Sequence, residues 1–258
     1  MYKTKQYQEF EKAELLLYEE VVRSPPFQRK TLVLIGAPGV GRRTLKNRLL
    51  SHAPERFETI IPYTSRPPKD GEESGKNYHF STRSTMELEI AEHHYLEYGE
   101  AGGHLYGTKL DTIRHVMRQG KMCILDCSPQ AVKILHNSSE FMPFVVFIAA
   151  PGVEQLRFMA EYGKVMGQQS HMMRSQTFDR ALRYSSRRAR TMESLASVFT
   201  DEDLRRTMEE SARLQRAYDK YIDLVLVNED FDLTFRRLLD AIEGLSTESQ
   251  WIPVQWIY

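Results

Sequence analysis

The 258-residue chain is 41% apolar and 27% charged, the balance of an ordinary folded protein rather than of a disordered or membrane-buried one, and its length allows one substantial domain with appendages. Its 35 basic and 35 acidic residues cancel, so no overall field draws it to nucleic acid, and any such attraction must be local. With no run of about 18 apolar residues and a polar stretch at residues 2–12, neither a spanning helix nor a signal peptide is predicted, which places the chain in the cytosol unless something tethers it.

In chain order, residues 14–22 (ELLLYEEVV) read as a strand, and RSPPFQRK after them is a proline-containing break. A main domain starts near Arg29. Residues 31–36 (TLVLIG) form a buried strand, 36–41 (GAPGVG) a turn, and 42–52 an amphipathic helix that stops before Pro54. A helix opens near residues 81–84, another covers 110–119, and the strand KMCILD (121–126), a helix near 130–135 and the strand FVVFIAA (144–150) follow. Such alternation predicts a parallel sheet covered by helices. Cys123 and Cys127 share one face of their strand and read as buried thiols rather than redox or metal groups.

Residues 165–200 keep no period and carry the basic cluster ALRYSSRRART (181–191), which predicts a flexible insertion. Ser186 and Thr191 stand three residues after Arg183 and Arg188, a pattern for a kinase target or an anionic-lipid contact, with a solvated loop as the alternative. Regularity returns with a helix from Asp201, capped by Thr200 or Asp201, a strand IDLVLV (222–227) and a final helix at 233–245. The tail QWIPVQWIY (250–258) is too aromatic for a solvated end and needs a partner strand or a core. Its Trp251, Trp256 and Tyr258 read as core-filling.

The turn GAPGVGRR (36–43) has the glycine spacing of a phosphate loop, Gly36 and Gly41 separated by four residues, Gly39 among them. It departs at the two decisive places. Arg42 stands where a lysine reaches the outer phosphates, and Arg43 where a hydroxyl holds magnesium. A cation there repels the metal by roughly 4 kcal/mol per unit charge at about 4 Å in a surface-like dielectric. Pro38 removes one more N–H from the cradle. These glycines either serve a weakened nucleotide site or only turn the chain from strand to helix.

The runs YTSRPPKDGEESGKNYHF (63–80), YLEYGE (95–100), LYGT (105–108) and ILD (124–126), in that order, resemble the guanylate kinase family. The likeness is closer to the guanylate-kinase-like domains of membrane-associated scaffolds (MAGUKs), over residues 30–164 and 201–245. The flanks YEEVVRSPPFQRK and QWIPVQWIY are similar to the palmitoylated-membrane-protein branch, which includes Stardust- and Varicose-like scaffolds.

The resemblance implies an α/β guanylate kinase fold: a P-loop-type parallel sheet with flanking helices, plus two terminal strands of a split Src-homology-3 domain. Residues 1–28 would be a hook segment and the penultimate strand of that small domain, 29–246 the kinase-like domain, and 247–258 its final strand. Residues 15–22 and 251–254 would pair antiparallel over about four residues. Arg66, Lys69, Tyr78 and Tyr106 match positions that hold the phosphate of GMP, and Glu97 and Thr108 positions that read the base. Pro62 replaces a serine that contacts the base. Asp126 matches an acidic residue near the metal, Ser128 replaces a second aspartate, and the arginine-bearing lid over ATP is not recognisable in 165–200.

Those departures point to a scaffold with no catalytic residues, no bound metal and no cofactor. The resemblance places it at the inner face of the plasma membrane or at cell junctions, with peripheral membrane association through the full-length protein. Its expected partners are protein ligands, phosphopeptides among them, and the remaining Src-homology-3 portion of the same or another chain. A residual guanylate kinase and a purely structural module are the alternatives.

Overall fold

The computed structural model describes residues 19–159 and 201–257. In chain order the elements are β1 (Val21–Ser24), β2 (Thr31–Ile35), α1 (Arg42–His52), β3 (Phe57–Thr59), β4 (Tyr63–Thr64), β5 (His79–Phe80), α2 (Arg83–Ala91), β6 (Tyr95–Ala101) and β7 (His104–Lys109). They continue with α3 (Leu110–Arg118), β8 (Met122–Leu125), α4 (Pro129–His136), β9 (Pro143–Ala149), α5 (Asp201–Tyr218), β10 (Leu224–Val227), α6 (Phe231–Gly244) and β11 (Gln250–Pro253). The basic insertion, with Ser186 and Thr191, lies outside the described residues, as do residues 1–18 of the hook segment.

Five strands form the central parallel sheet in the order β10-β9-β2-β8-β3. TLVLI and PFVVFIA are buried at every position, as expected of parallel strands covered on both faces. Leu32 and Leu34 face one core with Leu45 and Leu49 of α1 and Phe235, Leu238 and Ile242 of α6. Val33 and Ile35 face the other with Ile113, Val132, Leu135 and Leu214. Both cysteines are free and buried in that second core. Truncating one of these leucines to alanine should cost about 2–5 kcal/mol.

Helix starts follow local capping. Thr82 accepts from Thr85 N at 3.1 Å ahead of α2, and Asp230 accepts from Leu233 N at 2.7 Å. That second cap starts α6 at Phe231, two residues before the expected start. Asp201 is already helical, and Thr200 lies outside the described residues. Among the described residues no helix is long and apolar enough to cross a membrane.

A second sheet, β5-β4-β7-β6, is absent from the sequence reading because β4 and β5 have two residues each, too few to show a period. β4 runs parallel to β5 and antiparallel to β7.

The two ends of the described residues meet in a two-stranded ribbon in which β1 and β11 are antiparallel, with Val21 opposite Pro253 and Ser24 opposite Gln250. Four residues pair, as expected, but both strands are displaced from the expected positions. Of the expected 15–22, residues 15–18 lie outside the described residues and Glu19 and Glu20 belong to no strand; the first strand runs Val21–Ser24. The second runs Gln250–Pro253 rather than 251–254. Pro253, with no N–H to give, closes the ladder, and Val254 N donates to Glu20 O at 3.0 Å.

Trp256 is buried, but Trp251 is 64% exposed, against the expectation of a core role. The pleat explains it: Val22 and Ile252 point inward, so Trp251 points out. Tyr258 lies outside the described residues. Arg29, 2% exposed, fastens ribbon to sheet. Its Nε donates to Gln250 Oε1 at 2.6 Å and its Nη1 to Pro143 O at 2.9 Å, with Nη2 3.5 Å from Asp223. The guanidinium also lies 4.8 Å from the Trp256 ring centre.

Candidate functional site

The second sheet brings the expected phosphate-binding residues together. Thr64 pairs with Phe80 on one side and Tyr106 on the other, which gathers Arg66, Tyr78 and Tyr106 into one cluster. Thr64 Oγ1 donates to Leu105 O at 3.0 Å and accepts from Arg66 N at 3.1 Å. Leu105 N also donates to Ser65 Oγ at 2.8 Å. The loop carrying Arg66 is thereby fixed to the strand carrying Tyr106.

Within this cluster, the Arg66 guanidinium makes a two-pronged pair with Glu72, Nη2 to Oε1 at 3.0 Å and Nη1 to Oε2 at 2.9 Å. Its centre lies 5.6 Å from the rings of both Tyr78 and Phe80. The Glu72 hydrogen bond, helped by Tyr106, raises the Arg66 pKa, while the Arg66 bond holds the Glu72 carboxyl below its usual range. Lys69 sits apart, exposed on the loop, with its backbone N donating to Glu72 Oε2 at 2.8 Å. Tyr78 and Tyr106 are buried and meet edge to face at 5.8 Å. Burial pushes the Tyr78 phenol up to about 12, with Arg66 and Arg43 pulling the other way.

Glu97 and Thr108 lie opposite each other on β6 and β7, Thr108 buried and Glu97 half-buried. The Glu97 carboxylate does not stand open: its Oε2 accepts the Ser128 N–H at 2.9 Å. Loss of water raises its pKa, and that hydrogen bond partly offsets the rise. Pro62 is buried, its carbonyl accepting from His79 N at 2.9 Å.

The glycine turn leads from β2 into α1, and two of its glycines stand where a side chain would not fit. At Gly36, φ is +150°, and a Cβ would lie 2.3 Å from Ile148 O. At Gly41 it would meet Asn228 Nδ2 at 2.4 Å and the Phe231 ring at 2.9 Å, because Asn228 reaches in to donate to Val40 O at 2.8 Å. Among the described residues nothing lies within 4 Å of a Cβ placed at Gly39. Gly41 caps α1, which opens directly with Arg42 and Arg43 and has no acidic residue in its first turn. Two cations at the positive end of a helix are unfavourable.

The chain answers with Asp126. Arg42 Nη1 lies 2.9 Å from Asp126 Oδ1, with both side chains largely buried. The lysine-position cation and the carboxylate expected near the metal thus neutralise each other, and Arg43 holds the magnesium-ligand position. This donor set does not suit a magnesium–nucleotide complex. Among the described residues no group of three or more His, Cys, Asp or Glu is placed to hold a metal ion.

Two functional partners escaped the sequence reading. Glu72 was inside a quoted motif, and its position three residues after the N–H of Lys69 was the available signal. The Arg42–Asp126 pair spans 84 positions and left no local trace.

The Guanylate kinase family model matches residues 28–186. Over all 258 residues the chain is 50% identical to "MAGUK p55 subfamily member 2" of Rattus norvegicus, covering 100% of this chain and 42% of that protein. It is 47% identical to "Protein PALS2" of Homo sapiens, covering 100% of this chain and 43% of that protein. The chain therefore spans less than half the length of these curated relatives. A solved guanylate kinase from Anaplasma phagocytophilum aligns at 18% identity and a TM-score of 0.48, over 88% of this chain and 90% of that one.

Proposed function

This chain belongs to the guanylate kinase family, in the form that MAGUK scaffolds carry, and from that premise we propose that its former GMP cleft binds phosphorylated side chains of protein partners and transfers no phosphate. Arg66 offers a planar fork for two phosphate oxygens, and Tyr78 and Tyr106 add neutral donors beside it. Lys69, on the exposed loop, contributes a point charge at the rim. Glu72 keeps the guanidinium oriented until a phosphate competes for it.

Phosphoryl transfer needs more: a lysine on the outer phosphates, a held magnesium ion and preorganised charge at the transition state. The observation that carries the reading is the contrast between two arginines. Arg66, held by Glu72, packs on Tyr78 beside Tyr106 where binding a phosphate needs no metal, whereas Arg42 and Asp126 neutralise each other where transfer would need a lysine and a metal ligand. A phosphorylated side chain needs only the first.

In the cell, the reading places the domain in a cytoplasmic scaffold at junctions or the inner face of the plasma membrane. There the β1–β11 ribbon meets the remaining Src-homology-3 strands, from the same chain or another. Calorimetric titration with a pooled phosphopeptide library, GMP and Mg-ATP tests the proposal. Saturable phosphopeptide binding that Arg66→Ala weakens is expected, with no response to Mg-ATP. ATP-dependent phosphorylation of GMP at an ordinary enzyme rate, about 10 per second, would overturn it.

A further inference from the structure

Helix α4 is capped at its two ends by groups from two different parts of the molecule. At its start, Pro129 occupies the first turn and has no N–H, and Ser128 makes no side-chain cap. The Ser128 N–H is instead taken by Glu97 of the cleft at 2.9 Å. At its end, the His136 carbonyl, one of the groups a helix leaves unpaired, accepts the indole N–H of Trp256 at 2.7 Å. The His136 ring continues the contact, with Nε2 2.8 Å from Glu19 Oε2 and the ring packed edge-on against Trp256 at 5.7 Å. Glu19 lies two residues before β1 and Trp256 three after β11, so the far end of α4 touches both strands' flanks.

An eight-residue helix is too short to be stable by itself, because the cost of its first turn is spread over few bonds. Its order depends on packing and on its caps. Such a helix loosens as a unit, so a cap lost at one end is felt at the other. Turning Glu97 toward a hydrogen-bond donor on a ligand in the cleft would take its carboxylate from the Ser128 N–H. We propose that α4 is a relay, in which the engagement of Glu97 sets the order of the β1–β11 ribbon through Ser128, His136 and Trp256. Glu97 is then a positioning residue for the terminal strands as well as a cleft residue, and the surface those strands offer to the missing part of their small domain responds to cleft occupancy.

The biological use of the relay rests on the cleft being the ligand site proposed above. The test does not need a ligand, so the two ideas fail separately: absence of phosphopeptide binding counts against the site alone. Amide exchange of the whole chain is compared between parent, Glu97→Ala, Glu97→Gln and Trp256→Phe. Removing the carboxylate should speed exchange at residues 130–136 and at residues 21–24 by roughly fivefold, the effect of losing one helix cap. Residues 45–49 of α1 should not change. Glu97→Gln keeps an acceptor for Ser128 N–H and should restore the parent pattern.

Trp256→Phe keeps a ring but loses the indole donor, and by reciprocity it should speed exchange at Ser128. If Glu97→Ala leaves residues 21–24 at the parent rate, or speeds all amides equally, the relay is wrong. The same holds if Trp256→Phe leaves Ser128 unchanged.

Discussion

Arg42 and Asp126 meet with Nη1 2.9 Å from Oδ1, at side-chain exposures of 12% and 8%. Among the described residues no aligned hydrogen bond reaches Asp126 Oδ1, so at this oxygen the pair acts through charge. It accounts for how two arginines can open a helix whose positive end disfavours them.

Asp126→Asn should therefore lower stability by about 3 kcal/mol, the lower end for breaking a buried ion pair by removing one partner. Urea unfolding gives the number, as a lower midpoint at an unchanged slope. A midpoint equal to the parent's would mean that Arg42 does not depend on Asp126.

In the phosphate half, Arg66→Ala should weaken a phosphopeptide by more than about 1 kcal/mol, the scale of a charge-assisted hydrogen bond, with the unfolding midpoint little changed. Glu72→Gln tests the orienting pair. It should keep Arg66 free to bind but remove the acid-side loss of stability. The Glu72 pKa is lowered in the fold from 4.5 by its hydrogen bond to Arg66. Its contribution is therefore present above about pH 4.5 and lost as pH falls through the lower folded value. A parent and variant with the same stability profile below pH 4.5 would contradict the pairing.

Glu97 has the opposite sign. Desolvation raises its folded pKa above 4.5, so the protonated form suits the fold. The favourable contribution is complete below about pH 4.5 and is lost as pH rises through the raised folded value. Glu97→Gln should thus gain stability over the parent between pH 4 and pH 7, read from urea midpoints across that range. A difference independent of pH would show that burial does not strain this carboxylate.

Arg29 should be the least replaceable residue of the joint between ribbon and sheet. Its bonds to Gln250 and Pro143 O and its contact with Asp223 leave from three different nitrogens, a geometry that one ammonium cannot reproduce. Arg29→Lys should cost nearly as much as Arg29→Ala, roughly 3 kcal/mol for a buried charged network, and should speed amide exchange at residues 21–24. Full stability in Arg29→Lys would reduce the joint to simple charge.

The parallel sheet was legible because β2, β8 and β9 are unbroken apolar runs between glycine, proline and helical segments. Apolar periodicity puts the α6 start at residue 233, two residues late, because the Asp230 cap, which accepts the Leu233 N–H, makes Phe231 the first helical residue. Tyr78, Tyr106 and Arg66 could be named from motif spacing, but not their convergence, which depends on the two-residue strands β4 and β5. The partners of Arg42, Glu97 and Arg29 were not legible at all. Each pair joins positions far apart in sequence through a bond that only the folded sheet creates.

The most direct test of the central claim is a two-dimensional amide spectrum of the protein titrated separately with O-phosphoserine and with Mg-ATP. The account predicts that phosphoserine moves the amides of Arg66, Lys69, Tyr78 and Tyr106 saturably, while Mg-ATP leaves those of residues 36–43 in place. Saturable movement of the glycine turn by Mg-ATP, with no response of Arg66 or Tyr78 to phosphoserine, would contradict it.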